Sequence, residues 1–237
     1  MQASSRPVHS TQQAVHARLA ELVHRHANSD FRKPPAAYSL AALARLYAAW
    51  DRRAPLVLDA GCGTGASTLA LARLHPDCLV IGVDQSQVRL AAGARGAGAA
   101  PPGNALLLRA DVVDLWLLLA RERLRLAHHY LLYPNPWPKP AQVMRRWPAH
   151  PVFPTIIALG GVLECRSNWL VYVDEFSAAL QQLTGRAPLR ETLAPEQPWT
   201  PFERKYRDSG HGLYRAVLDL DAAGPPPGAH TTWGNAE

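Results

Sequence analysis

The stretch Leu56-Val57-Leu58-Asp59-Ala60-Gly61-Cys62-Gly63-Thr64-Gly65-Ala66-Ser67, followed one helix-length later by Leu79-Val80-Ile81-Gly82-Val83-Asp84-Gln85, decides the fold. An apolar run reads as a buried strand, a three-glycine turn follows, a helical span comes next, and a second apolar run ends in an acid. Gly61, Gly63 and Gly65 let the backbone turn sharply and present its N–H groups at the start of the next helix. Asp84 closes the second strand, where a carboxylate can accept both hydroxyls of a ribose, with Gln85 beside it. The segment therefore reads as the cradle of a nucleotide-type cofactor.

Two cofactor classes compete for that cradle. Ala66 can replace the third glycine of the dinucleotide fingerprint, which leaves a nicotinamide or flavin fold open. Asp59 argues the other way. It stands two residues before Gly61, where a carboxylate repels a pyrophosphate and attracts a cofactor carrying a sulfonium and an ammonium group. The pattern Asp59-x-Gly61-x-Gly63-x-Gly65 with Asp84 resembles class I S-adenosylmethionine methyltransferases. That resemblance implies S-adenosyl-L-methionine as cofactor.

The chain has 237 residues, enough for one doubly wound core with a small extension. Its 25 basic residues exceed its 19 acidic ones, giving a net charge of +6 and a pI near 9.5. Such a surface favours polyanionic partners, although the abundance of Ala, Arg, Pro and Gly accounts for much of the arginine. Only Lys33, Lys139 and Lys205 are lysines. Cys62, Cys78 and Cys165 are too few and too scattered for a disulfide framework or a zinc site, so a reduced cytoplasmic setting and no metal are expected. No apolar run reaches membrane-spanning length, and the first 20 residues lack the apolar core of a signal peptide.

Residues 1–50 read as an N-terminal helical extension, 51–222 as the cofactor domain and 223–237 as a disordered tail. Within the extension, residues 1–10 are polar and expected to be loose. Val15, Leu19, Leu22 and Val23 recur at helical spacing over Gln12–His26, and a second helix is expected over about Leu40–Trp50. Residues 91–104 read as a helix end and a flexible connection. Further strands are expected at Ala105–Leu108, Leu126–Tyr133, Gly161–Arg166, Leu189–Leu193 and Leu213–Leu220, with helices around Leu115–Ala120 and over Asn168–Leu183. Of the paired histidines on the fourth strand, one is expected to point into the core and the other toward a helix layer. Asp111, just past the third strand, is placed either to hold an adenine amino group or to cap the next helix.

After the fourth strand comes Tyr133-Pro134-Asn135-Pro136-Trp137-Pro138-Lys139. Its three prolines exclude a helix or a ladder strand. Ligands of open α/β sheets bind outside the carboxyl ends of the strands, so Asn135 is expected to face the transferable group and Trp137 to support or stack on the acceptor. A rigid connection with Trp137 as a plug is the alternative. Here the chain resembles the bacterial tRNA (guanine-N7)-methyltransferase family, which has a Pro-Asp-Pro-Trp-Pro-Lys loop and then a basic stretch. A Thr-Asp pair after the fifth strand and a Thr-x-Phe-Glu motif before the last complete its pattern. This sequence offers Pro134–Lys139, Arg145-Arg146, Ser167-Asn168 and Thr200-Pro201-Phe202-Glu203, in register over about residues 55–220.

The resemblance implies a seven-stranded, mostly parallel Rossmann-like methyltransferase sheet, tRNA or another RNA as partner, and methyl transfer to guanine N7. It places Asp59, Asp84, Asp111 and Asn135 on cofactor-contacting positions, and Lys139, Asn168, Thr200 and Glu203 on substrate-contacting ones. The departures are specific. Two family aspartates are Asn135 and Asn168, Ser167 replaces a threonine, and the basic run has thinned. Guanine N7 carries a lone pair and no proton, so its methylation requires alignment and charge stabilisation rather than a general base. An asparagine can orient a base, yet it does not offset the positive charge that the purine acquires. Two other readings follow. One is transfer to an exocyclic amine or small molecule, since Asn-Pro-Trp is similar to the Asn-Pro-Pro-aromatic loop of amino methyltransferases. The other is a catalytically weakened RNA-binding or partner-binding homologue. Arg145, Arg146 and Arg204 are candidates for phosphate contacts or for a solvated helix face.

Overall fold

The computed structural model describes residues 5–96 and 102–222. Among the described residues the sheet has seven strands: β1 (Leu56–Ala60), β2 (Leu79–Asp84), β3 (Ala105–Arg109), β4 (His128–Leu132), β5 (Val162–Ser167), β6 (Leu189–Leu193) and β7 (Leu213–Asp219). Their spatial order is β3-β2-β1-β4-β5-β7-β6. β7 runs antiparallel to both neighbours, and the remaining pairs are parallel. The order reverses between β1 and β4, so the chain leaves the carboxyl ends of these two strands in opposite directions and opens a crevice there. In the ladder Asp59 stands opposite Gly82 on one side and Tyr130 on the other.

Helices cover both faces, which is why β1 is buried along its whole length and reads as a continuous apolar run. One face carries α3 (Ala66–Leu74) over a cluster of Val57, Leu71, Ala72, Val80, Tyr130 and Leu132. The larger cluster, with Leu58, Ile81, Trp116, Phe153 and Phe176, gathers α5 (Val112–Arg121), α6 (Phe153–Ala158) and α7 (Leu170–Thr184) on the other. α4 (Gln87–Gly96) lies beside β2 and β3. Close approach of α3 to β2 depends on Gly82, where a Cβ would lie 2.1 Å from Thr68 Oγ1. The two histidines of β4 divide as expected: His129 is fully buried and accepts from Trp116 Nε1 (3.0 Å), while His128 stacks near His75 and Tyr130.

The N-terminal region departs from expectation. The first helix, α1, spans Leu19–Ala27 rather than beginning at Gln12, and α2 spans Ala37–Ala49. α1 packs on α7 and α6, and α2 packs on β3 and α5. Residues 5–16 form an irregular strap rather than a loose end. Their polar side chains find partners far along the chain, such as Ser10 Oγ on the carbonyl of Pro138 and Gln12 Nε2 on Glu175 Oε1. Those contacts compete with helix formation in just the way short polar side chains do. α8 (Pro201–Asp208) and α6 were not expected from periodicity, both being too short to show it. The expected tail over 223–237 lies outside the described residues, as does part of the connection between α4 and β3.

Candidate active site

The glycine turn is built by its own neighbours. Gly61 N and Cys62 N both donate to the carbonyl of Val83 (2.8 and 2.9 Å), and Gly65 N donates to Cys62 O (2.9 Å), which hooks the turn over the end of β2. Gly61 and Gly63 have φ of +80° and +58°, and a Cβ on either would meet nothing within 4 Å. The turn thus faces open space. Asp84 is buried beneath it: Gly63 N donates to Oδ2 (3.1 Å), Ser86 N to Oδ1 (2.7 Å), and the exposed Arg89 reaches Oδ2 at 3.3 Å. Gln85 is exposed, with its carbonyl taken by Arg109 Nε.

Asp59 is only 1% exposed, and its Oδ2 accepts from Ser67 Oγ (2.6 Å) and Thr68 Oγ1 (2.7 Å). Burial pushes its carboxyl up to about 6, the two hydroxyls pull against that rise, and the charge of Asp84 adds to it. Two acids under one open glycine turn make a negative pocket floor. That floor fits a cofactor bearing a sulfonium and an ammonium group, and it disfavours a pyrophosphate.

Asp111 is engaged at both oxygens. Its Oδ1 accepts from Val113 N (2.8 Å) as the N-cap of α5, and its Oδ2 is held by Lys33 Nζ (2.8 Å). Lys33 also pairs with Asp114 (2.6 Å). Capping, the second of the two roles the sequence offered, is the one the geometry displays, and the second oxygen is bound by a lysine from the N-terminal region.

The acceptor loop leaves β4 with two residues in the left-handed region, Tyr133 (φ 53°) and Trp137 (φ 45°). Neither is glycine, so the loop stores strain that its surroundings must hold. Asn135 is exposed, and its Oδ1 accepts from Trp137 N (3.3 Å) in a local turn. The guanidinium of Arg145 lies 4.6 Å from the centre of the Trp137 ring, a cation–π pair at the surface. Lys139 is exposed. Arg146 is not: it has no exposed surface, so it is withdrawn as a phosphate contact.

Thr200 and Glu203 are corrected as well. Thr200 is the N-cap of α8, its Oγ1 accepting from Glu203 N (2.8 Å), while Glu203 Oε2 reaches back to Trp199 N (2.6 Å). This is a capping box, and Pro201 sits at the first helical position where its missing N–H costs nothing. Glu203 is fully buried, and its Oε1 accepts from Tyr133 Oη (2.9 Å) and Arg166 Nη1 (2.8 Å). A carboxylate so enclosed supports the acceptor loop from beneath rather than meeting a substrate. Arg166 on β5 pairs with Glu164 as well (2.6 Å) and lies over the Trp199 ring. Sequence reasoning missed Arg166, Tyr133 and Trp199. The Thr-x-x-Glu spacing carried the helix signal and was read only as a substrate motif. Asn168 is half-buried and hydrogen-bonded to His211 Nδ1 (3.1 Å).

Comparison with known proteins agrees with this geometry. A family model described as "Putative methyltransferase" matches residues 53–216. The tRNA (guanine-N(7)-)-methyltransferase of Burkholderia mallei is 30% identical over 186 residues, covering 74% of this chain and 70% of the relative. The enzyme of the same name from Psychromonas ingrahamii is 28% identical over 179 residues, covering 73% of each. Among solved structures, an antibiotic-related methyltransferase superposes with a TM-score of 0.55 at 13% identity, over 82% of this chain and 98% of that one. A variant 16S rRNA (adenine(1408)-N(1))-methyltransferase from Catenulisporales acidiphilia superposes with a TM-score of 0.51 at 17% identity, over 83% and 95%. These two likenesses show the fold. With the family model spanning the glycine turn, the acceptor loop and the capping box, the chain belongs to the tRNA (guanine-N7)-methyltransferase family and is an S-adenosylmethionine-dependent methyltransferase.

Proposed function

We propose that this chain methylates N7 of a guanine in tRNA. The observation that carries the reading is the convergence of the Asp59–Asp84 glycine turn and the strained Asn135–Lys139 loop on the carboxyl edge of adjacent strands β1 and β4. The names of the relatives supply the acceptor. S-adenosylmethionine, when bound, supplies a methyl group on a cationic sulfur. Asp59 and Asp84 hold the negative floor that favours that cation, and Asp84, oriented by the amides of Gly63 and Ser86, is the acid placed for ribose hydroxyls. Guanine N7 would take that methyl on a lone pair that carries no proton, so no residue of this chain would have to act as a general base. The work left to the protein is alignment in a strained, supported loop, with Trp137 and Arg145 presenting an aromatic and cationic surface to the base or its phosphates. Lys139, exposed on the same loop, and Asn168 with its His211 partner are the remaining acceptor-side candidates.

Transfer to an exocyclic amine rests on the Asn135 amide, and the engagement of its Oδ1 by Trp137 N counts against that reading. We place the reaction in the cytoplasm, with tRNA as the partner. No helix among the described residues is long and apolar enough to cross a membrane. The test incubates the protein with labelled S-adenosylmethionine and tRNA lacking the modification, then identifies the labelled nucleoside. 7-Methylguanosine supports the reading, and a methylated exocyclic amine replaces it with the alternative. No transfer by the natural chain or by the Asn135→Asp, Asn168→Asp double variant leaves the binding-homologue account.

A further inference from the structure

Arg146 is the last residue of the thinned basic run, yet its side chain is fully buried. Its Nε donates to the carbonyl of Trp137 (3.1 Å), and its Nη2 points to the carbonyl of Lys139 (3.4 Å). Its Nη1 is taken by both oxygens of Glu175 on α7 (2.7 and 2.8 Å) and by Gln12 Oε1 (3.1 Å). Glu175 is likewise fully buried, and the N-terminal strap completes its coordination: Gln12 Nε2 (2.6 Å) and His16 N (3.1 Å) both donate to Oε1. Two residues earlier in the strap, Ser10 Oγ donates to Pro138 O (2.5 Å). The carbonyls of three consecutive loop residues, Trp137, Pro138 and Lys139, are thus gripped by Arg146 and Ser10. The strap continues to the other side of the site, where Ser5 O meets His211 Nε2 (3.0 Å), the histidine that holds Asn168.

Burying an ion pair costs several kcal/mol in desolvation, which the contacts of all three guanidinium nitrogens of Arg146 can offset. An apolar pair would fill this space as well for stability alone. What it would not do is aim donors at loop carbonyls beside a tryptophan held at φ 45°. We infer that Arg146 is a positioning residue for the acceptor loop, and that residues 5–16 complete the methyl-transfer site by locking Arg146 and Pro138 from the N-terminal side. The inference rests on the methyltransferase reading for its functional consequence and on the geometry alone for the clamp. A bulky acceptor that displaced the strap would free the loop; an acceptor that docks beside it meets a loop already set.

The test uses the full chain with Gln12→Ala, Ser10→Ala and Arg146→Lys, the last keeping the charge and losing the simultaneous reach to Glu175 and the loop carbonyls. Hydrogen exchange read by mass spectrometry follows amides 137–146, calorimetry gives S-adenosylmethionine affinity, and methyl transfer to tRNA gives kcat and KM. Each strap variant is expected to speed exchange in 137–146 by about three- to tenfold, the scale of one lost hydrogen bond, with β1 and β2 unchanged. Cofactor affinity should hold while kcat falls, with Arg146→Lys lowest. Unchanged loop exchange in both strap variants overturns the clamp, as does faster exchange spread evenly over the sheet. A loop that responds in a chain that methylates no RNA upholds the clamp and overturns the functional reading. Methylation by the natural chain with loop exchange and kcat unaltered in the strap variants overturns the clamp alone.

Discussion

The two halves of the site are held together in different ways. On the cofactor side, the hydrogen bonds that shape the glycine turn come from residues 59–89: Asp59 to Ser67 and Thr68, Asp84 to Gly63, Ser86 and Arg89, and the turn amides to Val83. On the acceptor side, the loop over residues 133–139 is held by residues 10, 146, 166 and 203, which come from the strap, the connection between β4 and α6, β5 and α8. A pocket built from adjacent segments folds as one βαβ unit. A loop built from four distant segments acquires its shape only when the whole domain has assembled, and its buried charges must find their partners across that distance.

The comparison predicts that acceptor-side variants damage folding while cofactor-side variants damage binding. Glu203→Ala should have the largest effect, about 3–5 kcal/mol of stability, because it removes one of the two carboxylates paired with the buried Arg166 and leaves Tyr133 Oη and Trp199 N without their acceptor. Urea unfolding measures it, and a cost near that of an exposed ion pair would erase the distinction drawn here.

Asp59 gives a pH test of the cofactor side. Its folded pKa of about 6 stands above the ordinary 3.8, so the folded chain holds a proton more tightly than the unfolded one. The contribution of this group to stability without cofactor is therefore fully present below about pH 4 and is lost as pH rises through about 6, by roughly 3 kcal/mol. Asp59→Asn should flatten that part of the thermal-stability profile and raise the melting temperature at pH 8, while weakening S-adenosylmethionine binding. A profile unchanged by the substitution would mean that the carboxyl is solvated and the pocket floor less negative than its burial indicates.

Asp84→Ala should weaken S-adenosylmethionine by about 1–3 kcal/mol in calorimetry, the scale for leaving hydroxyl partners unmet. The melting temperature should change little, since the turn keeps its bonds to Val83. If affinity is retained and folding is lost, the two halves do not divide as described. The smallest effect is expected at Thr200→Ala, which removes one half of the capping box of α8 for about 1 kcal/mol. Thr200→Ser, which keeps the hydroxyl, should restore most of it; failure of that rescue would assign Thr200 a contact beyond the cap.

The sequence by itself determined the strand–turn–helix–strand unit and the negative floor beneath the turn. The spacing of Asp59, the three glycines and Asp84 is local, and local spacing survives in one dimension. It also disclosed strands, because β1 and β2 read as compact apolar runs, and it placed Pro134–Lys139 in a loop because three prolines admit nothing else. Only the tertiary structure decided what the acceptor-side polar residues do. Glu203 and Arg146 look like surface chemistry in the sequence, yet each is buried against a partner 37 or 29 residues away. One oxygen of Asp111 is held by Lys33, a partner 78 residues distant. Gln12, in a segment that reads as a helix start, became part of a strap because Glu175 lies 163 residues along the chain. A charge declares its type in the sequence, but its partner, and therefore its protonation, burial and work, is chosen by the packing of elements that share no sequence neighbourhood.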